Sequence, residues 1–155
     1  MKFALCLGGN IGDVRSRFDG VEKALAAFGV KEIRRSTVYV TAPVGCVPGT
    51  PDFQNQALTG ECNAAPEELF ALLQRLERQY GRPALHSSQE SRTLDCDVIL
   101  WGEECICSDI LTVPHPRARM RQFVLEPLAE IAPEMKFPDG MTVAQAWAAL
   151  QKDLA

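Results

Sequence analysis

The chain places two aspartates directly before an apolar run, in the stretch Ser91-Arg92-Thr93-Leu94-Asp95-Cys96-Asp97-Val98-Ile99-Leu100-Trp101. Residues 98–101 are apolar throughout, which predicts a buried strand. Side chains alternate between the two faces of a strand, so Asp95 and Asp97 point to the same face, with roughly 6–7 Å between their Cα atoms. Paired carboxylates suit Mg²⁺, which takes one or two of them and keeps its other positions for water and phosphate. The pattern predicts a metal and phosphate site at the head of this strand.

The basic residues around this stretch decide between two interpretations of the aspartates. Alone, Asp-x-Asp is more typical of a solvated strand face than of a metal site. Two like charges this close are disfavoured unless a cation or a basic group offsets them. Arg92 stands directly upstream, where its guanidinium can form paired hydrogen bonds with a phosphate. Further arginines flank the stretch at Arg82, Arg117, Arg119 and Arg121, and they favour the metal and phosphate site.

Outward from this strand, apolar periodicity and turn residues predict the order β-α-β-β-α-β, followed by further helices. The predicted strands cover residues 2–7, 30–41, 53–62 and 95–101, with a hairpin partner for the last of them at 103–110. The predicted helices run from 10 to 29 and from 66 to 81, followed by a short helix that starts at 124 and ends before Pro133, and by a last one capped by Thr142 and Gln145. Residues 42–52 and 82–92 are predicted loops beside the aspartates. The order indicates a single α+β, ferredoxin-like domain over residues 1–155, an antiparallel sheet of four to six strands with flanking helices.

Composition excludes several classes of protein. With 155 residues, 46% of them hydrophobic, the chain is long enough for one domain with a core. A net charge of -4 argues against a nucleic-acid binder. The apolar run at residues 1–7 is too short for a signal peptide or a membrane span, so we expect a cytoplasmic protein without a membrane partner. The six cysteines are expected to be reduced apolar fillers; for Cys105-Ile106-Cys107, a soft-metal site is the alternative to a short alternating strand.

Three further features have both a functional and a structural interpretation. Gly8-Gly9 before a helix can hold phosphate on backbone amides, but without Gly-x-Gly-x-x-Gly spacing a plain strand-to-helix turn is favoured. Phe53 and Asn55 share a strand face and could present a ring and an amide to a flat heteroaromatic ligand; equally, they could be core and turn residues. His115, in a proline-framed turn, is a candidate phosphate contact or a surface histidine.

Several motifs follow one another in the order of a known family. They are Leu7-Gly8-Gly9-Asn10-Ile11-Gly12-Asp13, Thr41-Ala42-Pro43-Val44-Gly45, Asp52-Phe53-Gln54-Asn55, Arg92-Thr93-Leu94-Asp95-Cys96-Asp97, Leu111-Thr112-Val113-Pro114-His115-Pro116-Arg117 and Phe123-Val124-Leu125-Glu126-Pro127-Leu128-Ala129-Glu130-Ile131-Ala132-Pro133. On these motifs the chain resembles the 6-hydroxymethyl-7,8-dihydropterin pyrophosphokinases of folate biosynthesis over nearly its whole length.

The resemblance implies transfer of pyrophosphate from ATP to the hydroxymethyl oxygen of the reduced pterin, with release of AMP. It implies two Mg²⁺ ions on Asp95 and Asp97, and catalytic phosphate contacts from Arg82 and Arg92. The implied nucleotide contacts are Gln74, Glu77, Thr112, His115 and Arg121. The implied pterin pocket consists of Ala42, Pro43, Phe53, Asn55 and Phe123, with the pterin between the two phenylalanine rings. Small-molecule substrates are then the expected partners, and a monomer is favoured.

The chain departs from the family pattern at several positions. Gln89-Glu90-Ser91 replaces a Trp-Gly-Pro-like run, and Ala84 stands where relatives often have an arginine. Pro116 replaces an aromatic residue, and Cys96 replaces an aliphatic one. A catalytically weakened paralogue that binds nucleotide or pterin is therefore the main alternative to the enzyme. A nucleotide-sugar transferase, usually a larger protein, and a purely structural domain explain the motifs less well.

Overall fold

A computed structural model of the chain describes residues 1–43, 48–81 and 93–155. In chain order its elements are β1 (Lys2–Gly9), α1 (Val14–Phe28), β2 (Lys31–Arg35), β3 (Tyr39–Thr41), β4 (Phe53–Glu61), α2 (Pro66–Gln79), β5 (Asp95–Trp101), β6 (Ile106–Cys107), β7 (Thr112–Val113), a 3₁₀ turn (Ala118–Met120), α3 (Gln122–Ile131) and α4 (Val143–Leu154). Among these helices, none combines the length and the apolar composition needed to cross a bilayer.

The main sheet has five strands in the order β2-β4-β1-β5, with β3 pairing along the first half of β4. Every pairing in it is antiparallel. The first and last strands of the β-α-β-β-α-β order, β1 and β5, are neighbours, and this is the predicted ferredoxin-like arrangement. The predicted fold class, α+β with an antiparallel sheet of four to six strands, is confirmed.

Helices cover both faces of the sheet, so the central strand β1 is apolar on both sides. Phe3, Leu5 and Leu7 pack against α1 and α2 in one core, whereas Ala4 and Cys6 pack against α3 and α4 in the other. Alternation along each strand distributes side chains between these two cores. Of the cysteines in the described part of the chain, three are buried (Cys6, Cys62 and Cys96) and two are exposed (Cys105 and Cys107), and all are free thiols.

The predicted helix boundaries follow from capping. Asp13 accepts a hydrogen bond from the backbone of Ser16 at 3.1 Å, and Gly29 ends α1 in the left-handed region with φ 107°. Pro66 occupies the first turn of α2, and Thr142 with Gln145 forms the predicted capping box of α4. The starts of α2 and α4 were expected from residue type, whereas α1 begins four residues after the predicted start at residue 10.

The single strand predicted over residues 30–41 is wrong, because β2 and β3 are separated at Ser36. The Ser36 hydroxyl accepts a hydrogen bond from Ala57 N at 2.9 Å, in place of a backbone carbonyl. The displaced Ser36 carbonyl accepts from Gln56 Nε2 at 2.7 Å instead. A side chain inserted into the ladder breaks the strand in two.

The hairpin partner predicted for β5 at residues 103–110 is also wrong. β6 pairs with β7, and their tight turn is closed by Ser108, whose backbone N–H donates to Leu111 O at 3.0 Å and whose hydroxyl accepts from Leu111 N at 3.1 Å. The segment beside β5 comes later in the chain: His115 N donates to Ile99 O at 3.2 Å. This return brings His115 to the edge of the strand that holds the aspartates.

α3 begins two residues before the predicted start at residue 124 and, as predicted, ends before Pro133; it continues through Pro127. Proline has no N–H, so the carbonyl four residues earlier, that of Phe123, loses its helical donor. The Cys6 thiol lies 3.7 Å from that oxygen and donates to it. The N-terminal turn of α3 is thereby tied to the central strand.

Candidate active site

The register of three neighbouring strands places Asn55, Gly8 and Asp95 in one row. Gly8 of β1 pairs with Asn55 of β4 on one side and with Asp95 of β5 on the other. Paired residues of adjacent strands share a sheet face, here the face covered by α3 and α4. Asp97 pairs with Cys6 and lies on this face one step further along, so both predicted aspartates belong to the same surface.

Gly8 leaves a gap in the middle of this row. Residues 3–7 and Gly9 are buried, whereas Gly8 is half-buried. A Cβ atom added to Gly8 would lie 3.3 Å from Asn55 Oδ1. Two strand spacings separate Asn55 from Asp95, about 10 Å between Cα atoms. The half-buried glycine therefore leaves an accessible opening on this face, with an amide on one side and a carboxylate on the other.

The amide of Asn55 has a defined orientation. Asn55 is 5% exposed, and its Nδ2 donates to Thr41 Oγ1 at 3.0 Å. This bond turns Oδ1 towards Gly8. Phe53 begins β4 on the same face, two residues earlier, and pairs with Thr41. Ala42 and Pro43 follow Thr41 directly, Ala42 exposed and Pro43 half-buried. These predicted substrate residues thus lie around one end of the row.

Phe123 lies over the same face at the start of α3. Its ring is half-buried, and its carbonyl oxygen accepts from Cys6, the neighbour of Asp97 in the sheet. The guanidinium carbon of Arg121 lies 5.5 Å from the centre of the Phe123 ring. The cation is within the range of a favourable cation–π contact, which fixes the ring and the charge relative to one another.

His115 is a neutral side chain between charges of both signs. Burial, together with Arg121 and Arg117, lowers the pKa of His115 against the opposing effect of Asp95. Its Nδ1 accepts from Arg117 N at 3.2 Å, which assigns the ring proton to Nε2. His115 can therefore donate a hydrogen bond at neutral pH without adding charge.

Glu77 supports the aspartate strand from the opposite face. Its carboxylate accepts from Cys96 N at 2.8 Å, between Asp95 and Asp97 in the chain. Cys96 itself is buried towards α1 and α2. The resemblance implied a nucleotide contact for Glu77, and the bond seen here is to the protein backbone. Sequence reasoning missed this bond, because it depends on how α2 is placed under β5.

The remaining predicted site residues are either exposed on the surface or lie outside the described residues. Gln74 is exposed on α2, and Thr112 is exposed in β7. Arg82 and Arg92 lie outside the described residues, as do the altered positions Ala84 and Gln89-Glu90-Ser91. The roles of all these residues stay predictions.

The donor set on β5 fits a hard cation that shares its ligands with a substrate. Within residues 1–43, 48–81 and 93–155, no three or more His, Cys, Asp or Glu side chains are grouped to hold a metal ion. Two half-buried carboxylates on one face, Asp95 and Asp97, are instead the number that Mg²⁺ commonly takes from a protein, with water and phosphate oxygens completing its shell. These two carboxylates do not provide the four protein ligands of a closed structural zinc site.

Gly8 and Thr41 belong to the family-like motifs, but sequence reasoning gave neither of them a place in the substrate pocket. Gly8 was considered as part of a strand-to-helix turn or of a phosphate-holding turn, and Thr41 as the end of a strand. The signal that could have found them is strand register: a glycine opposite a buried asparagine and an aspartate marks an opening in a sheet. Local sequence does not contain that register.

Sequence comparison finds named relatives of this chain. The chain is 40% identical over 142 residues to a 2-amino-4-hydroxy-6-hydroxymethyldihydropteridine pyrophosphokinase of Synechocystis sp., covering 90% of this chain and 71% of that protein. It is 34% identical over 149 residues to the protein of the same name from Pseudomonas aeruginosa, covering 94% and 89%. A folate synthesis bifunctional protein of Arabidopsis thaliana is 34% identical over 127 residues, covering 82% of this chain but 26% of the plant protein.

Solved structures show the same fold. A crystal structure of an HPPK-DHPS protein in complex with substrates matches with a TM-score of 0.71 at 11% identity, over 99% of this chain and 44% of that one. Residues 4–133 match the family model described as 7,8-dihydro-6-hydroxymethylpterin-pyrophosphokinase (HPPK). With that match and the 34–40% identity to named bacterial relatives, the chain belongs to the 7,8-dihydro-6-hydroxymethylpterin-pyrophosphokinase family.

Proposed function

We propose that the chain transfers the pyrophosphoryl group of ATP to the hydroxymethyl oxygen of 6-hydroxymethyl-7,8-dihydropterin, with release of AMP, in folate synthesis. The hydroxymethyl oxygen attacks the β-phosphorus, the bond from that phosphorus to the oxygen shared with the α-phosphate breaks, and the hydroxyl proton is lost to solvent. Family membership supports the reaction. The row Asn55–Gly8–Asp95 is the single observation that supports its location.

The row offers a place for a flat ring whose reactive arm points towards the aspartates. Asn55, oriented by Thr41, presents Oδ1 to the N–H groups on the edge of a pterin. The gap at Gly8 admits the ring, and Phe123 on α3 covers it, with Phe53 proposed for its other side. Ala42 and Pro43 complete the pocket in this proposal. A substrate held at the amide end extends towards Asp95 and Asp97, about 10 Å away across two strands.

Asp95 and Asp97 are the proposed ligands of Mg²⁺, two ions in the full proposal. When bound, the metal neutralises negative charge that develops on the phosphates. The residues of this chain hold the carboxylates in place: β5 keeps both on one face, and Glu77 fixes the backbone between them. Arg82 and Arg92 are the proposed phosphate donors of the same site.

The nucleotide is proposed to lie at the β5–β7 side of the site. His115, brought to the β5 edge by its bond to Ile99, donates from Nε2, and Arg121 adds a positive charge next to it. Gln74, Glu77 and Thr112 are proposed neighbours of the nucleotide on the family pattern. ATP and the reduced pterin are the proposed partners, a monomer is the proposed assembly, and the cytoplasm is the proposed compartment.

A coupled assay tests this proposal. The wild-type protein is incubated with ATP, Mg²⁺ and 6-hydroxymethyl-7,8-dihydropterin, and AMP is quantified. We expect pterin-dependent AMP formation that falls by about 10²-fold or more in Asp97→Ala, since a positioned electrostatic group is lost. Asp153→Ala, which removes an exposed aspartate in the last turn of α4, is the matched control and keeps full activity.

Thermal melting separates a lost ligand from a lost fold. Removing one of two neighbouring like charges should not destabilise the protein, so Asp97→Ala is expected to melt close to the wild-type temperature. AMP formation that does not depend on the pterin, or that is equal in Asp97→Ala and wild type, contradicts the proposal.

A further inference from the structure

Glu130 lies in the last turn of α3. It belongs to the family-like motif from Phe123 to Pro133, in which only Phe123 has so far been given a role. Its carboxylate accepts three hydrogen bonds from another part of the chain. Oε2 accepts from Thr37 N at 2.9 Å, and Oε1 accepts from the Thr37 hydroxyl at 2.8 Å and the Tyr39 hydroxyl at 2.7 Å. Thr37 lies between β2 and β3, and Tyr39 begins β3. A single side chain therefore ties α3 to the strand that leads into Ala42.

α3 is tied to the protein at both ends. At its start, the Phe123 carbonyl freed by Pro127 accepts from Cys6 of β1. At its end, Glu130 holds the β2–β3 linker. Seven residues separate Phe123 from Glu130, so the two lie on the same side of the helix, about 10 Å apart along its axis. The position of the Phe123 ring and the position of the Glu130 carboxylate are therefore coupled through one rigid element.

The strand held by Glu130 is the one that orients Asn55. Tyr39 is the direct partner of Asn55 in the β3–β4 ladder. Two residues later, the Thr41 hydroxyl accepts from Asn55 Nδ2 at 3.0 Å. A shift of β3 relative to α3 would move Thr41, rotate the Asn55 amide and change the gap between Asn55 and Phe123.

We propose that Glu130 is a positioning residue for the pterin pocket: by holding Thr37 and Tyr39, it sets the spacing between β3, which orients Asn55, and α3, which presents Phe123. The inference rests on the proposed function, because it takes the pocket between these two elements to be the pterin site. Glu130 does not itself lie in the row of Asn55 and Gly8, so its effect is on geometry and not on chemistry.

The protonation states agree with a carboxylate acceptor at this point. Slight burial opposes ionisation of Glu130, but hydrogen bonds from Tyr39 and Thr37 outweigh it and lower the pKa of the carboxyl group. Burial and the bond to Glu130 raise the pKa of the Tyr39 phenol. Glu130 is therefore ionised and Tyr39 protonated at neutral pH, as the three donated bonds require.

Binding measurements on matched variants test the inference. The dissociation constants of the reduced pterin and of a non-hydrolysable ATP analogue with Mg²⁺ are measured by calorimetry, well below the melting temperature of each variant. We expect Glu130→Ala to weaken pterin binding by about fivefold or more while nucleotide binding stays within about twofold of wild type. Glu130→Gln, which keeps an acceptor oxygen, stays close to wild type. Tyr39→Phe, which deletes one hydroxyl, weakens pterin binding by about twofold to threefold.

Glu22→Ala is the control for loss of a hydrogen-bonded carboxylate elsewhere. It removes a 2.7 Å bond to Arg35 on the α1 side of the sheet, and Arg35 keeps its bond to Asp19. We expect unchanged pterin and nucleotide binding in this variant. Unchanged pterin binding in Glu130→Ala, or equal weakening of pterin and nucleotide, overturns the inference. Where Glu130→Ala does not fold, the Tyr39→Phe result decides in the same way. AMP formation by the wild type is measured separately, so that a failed reaction and a failed positioning role are distinguished.

Discussion

Replacement of Glu77 by alanine is expected to lower both the stability of the protein and its use of Mg²⁺. The Glu77 carboxylate accepts from Cys96 N at 2.8 Å, at the point of β5 between Asp95 and Asp97. Cys96 is 4% exposed and its bond to Glu77 is partly buried, so its N–H would lose its acceptor with little access to water. Losing one partner of a buried hydrogen bond costs about 1–3 kcal/mol. For a chain of this size, that corresponds to a fall in melting temperature of about 3–10 °C.

The assay is urea unfolding followed by tryptophan fluorescence. Trp101 ends β5, is 2% exposed and stacks on Phe3 with ring centres 5.7 Å apart, so it reports directly on this strand. The Mg²⁺ concentration for half-maximal AMP formation is measured on the same preparations. Because the backbone between the two aspartates loses its support, we expect that concentration to rise in Glu77→Ala. Glu77→Gln keeps an acceptor oxygen. It should therefore lose less stability than Glu77→Ala and show a smaller rise in the Mg²⁺ concentration for half-maximal AMP formation.

Gln79→Ala is the control, since it shortens an exposed side chain on the same helix. It should unfold at the wild-type urea midpoint. A wild-type midpoint in Glu77→Ala, together with an unchanged Mg²⁺ dependence, would refute the reasoning that this bond holds the aspartate strand.

Three further outcomes are expected. Gly8→Ala adds a methyl group 3.3 Å from Asn55 Oδ1. It should raise the KM for the pterin and leave the KM for ATP unchanged, and an unchanged KM for the pterin would count against a pterin ring above Gly8. Phe123→Ala should weaken pterin binding measured by calorimetry, by about 0.5–1.5 kcal/mol beyond the loss of buried area, because a stacking ring is lost. Hydrogen bonds from Arg119 lower the pKa of Asp139 from 3.8 to about 2. The folded state then binds fewer protons than the unfolded one, so ionised Asp139 contributes fully to the stability of the protein above pH 3.8, and this stabilisation is lost as the pH falls through 2. The difference in melting temperature between wild type and Asp139→Asn should shrink over that range. A constant difference would contradict the assignment.

Local sequence predicts the features that depend on residues close together in the chain, such as strand faces and helix starts. Alternation along β5 placed Asp95 and Asp97 on one face, and Pro66 and Thr142 predicted where α2 and α4 begin. The fold class followed from the order of these elements. The split at Ser36 was missed, because a serine hydroxyl replaces a backbone acceptor only when β4 is already beside it. The same holds for β6, whose partner is decided by a turn and not by its own residues.

The candidate site also combines features that local sequence predicts with features that it does not. The metal pair was predicted from spacing and charge. Spacing left two interpretations open for Asn55, and the resemblance implied its pterin role and that of Phe123. Asn55 lies in one row with Gly8 and Asp95 because of strand pairing between residues more than forty positions apart, as between Gly8 and Asn55. The bond from Cys6 to Phe123 depends on Pro127 and on a helix that crosses β1. Contacts of this kind require the three-dimensional arrangement and have no local signature.

Anomalous diffraction from Mn²⁺ tests the proposed metal site most directly. Crystals are grown with a non-hydrolysable ATP analogue, the reduced pterin and Mn²⁺ in place of Mg²⁺. We expect anomalous peaks within bonding distance of the Asp95 and Asp97 carboxylates, on the sheet face that contains Gly8, with the pterin ring against Asn55. Peaks elsewhere, with both carboxylates turned to solvent, would contradict the proposal that this pair gathers the cations for pyrophosphoryl transfer.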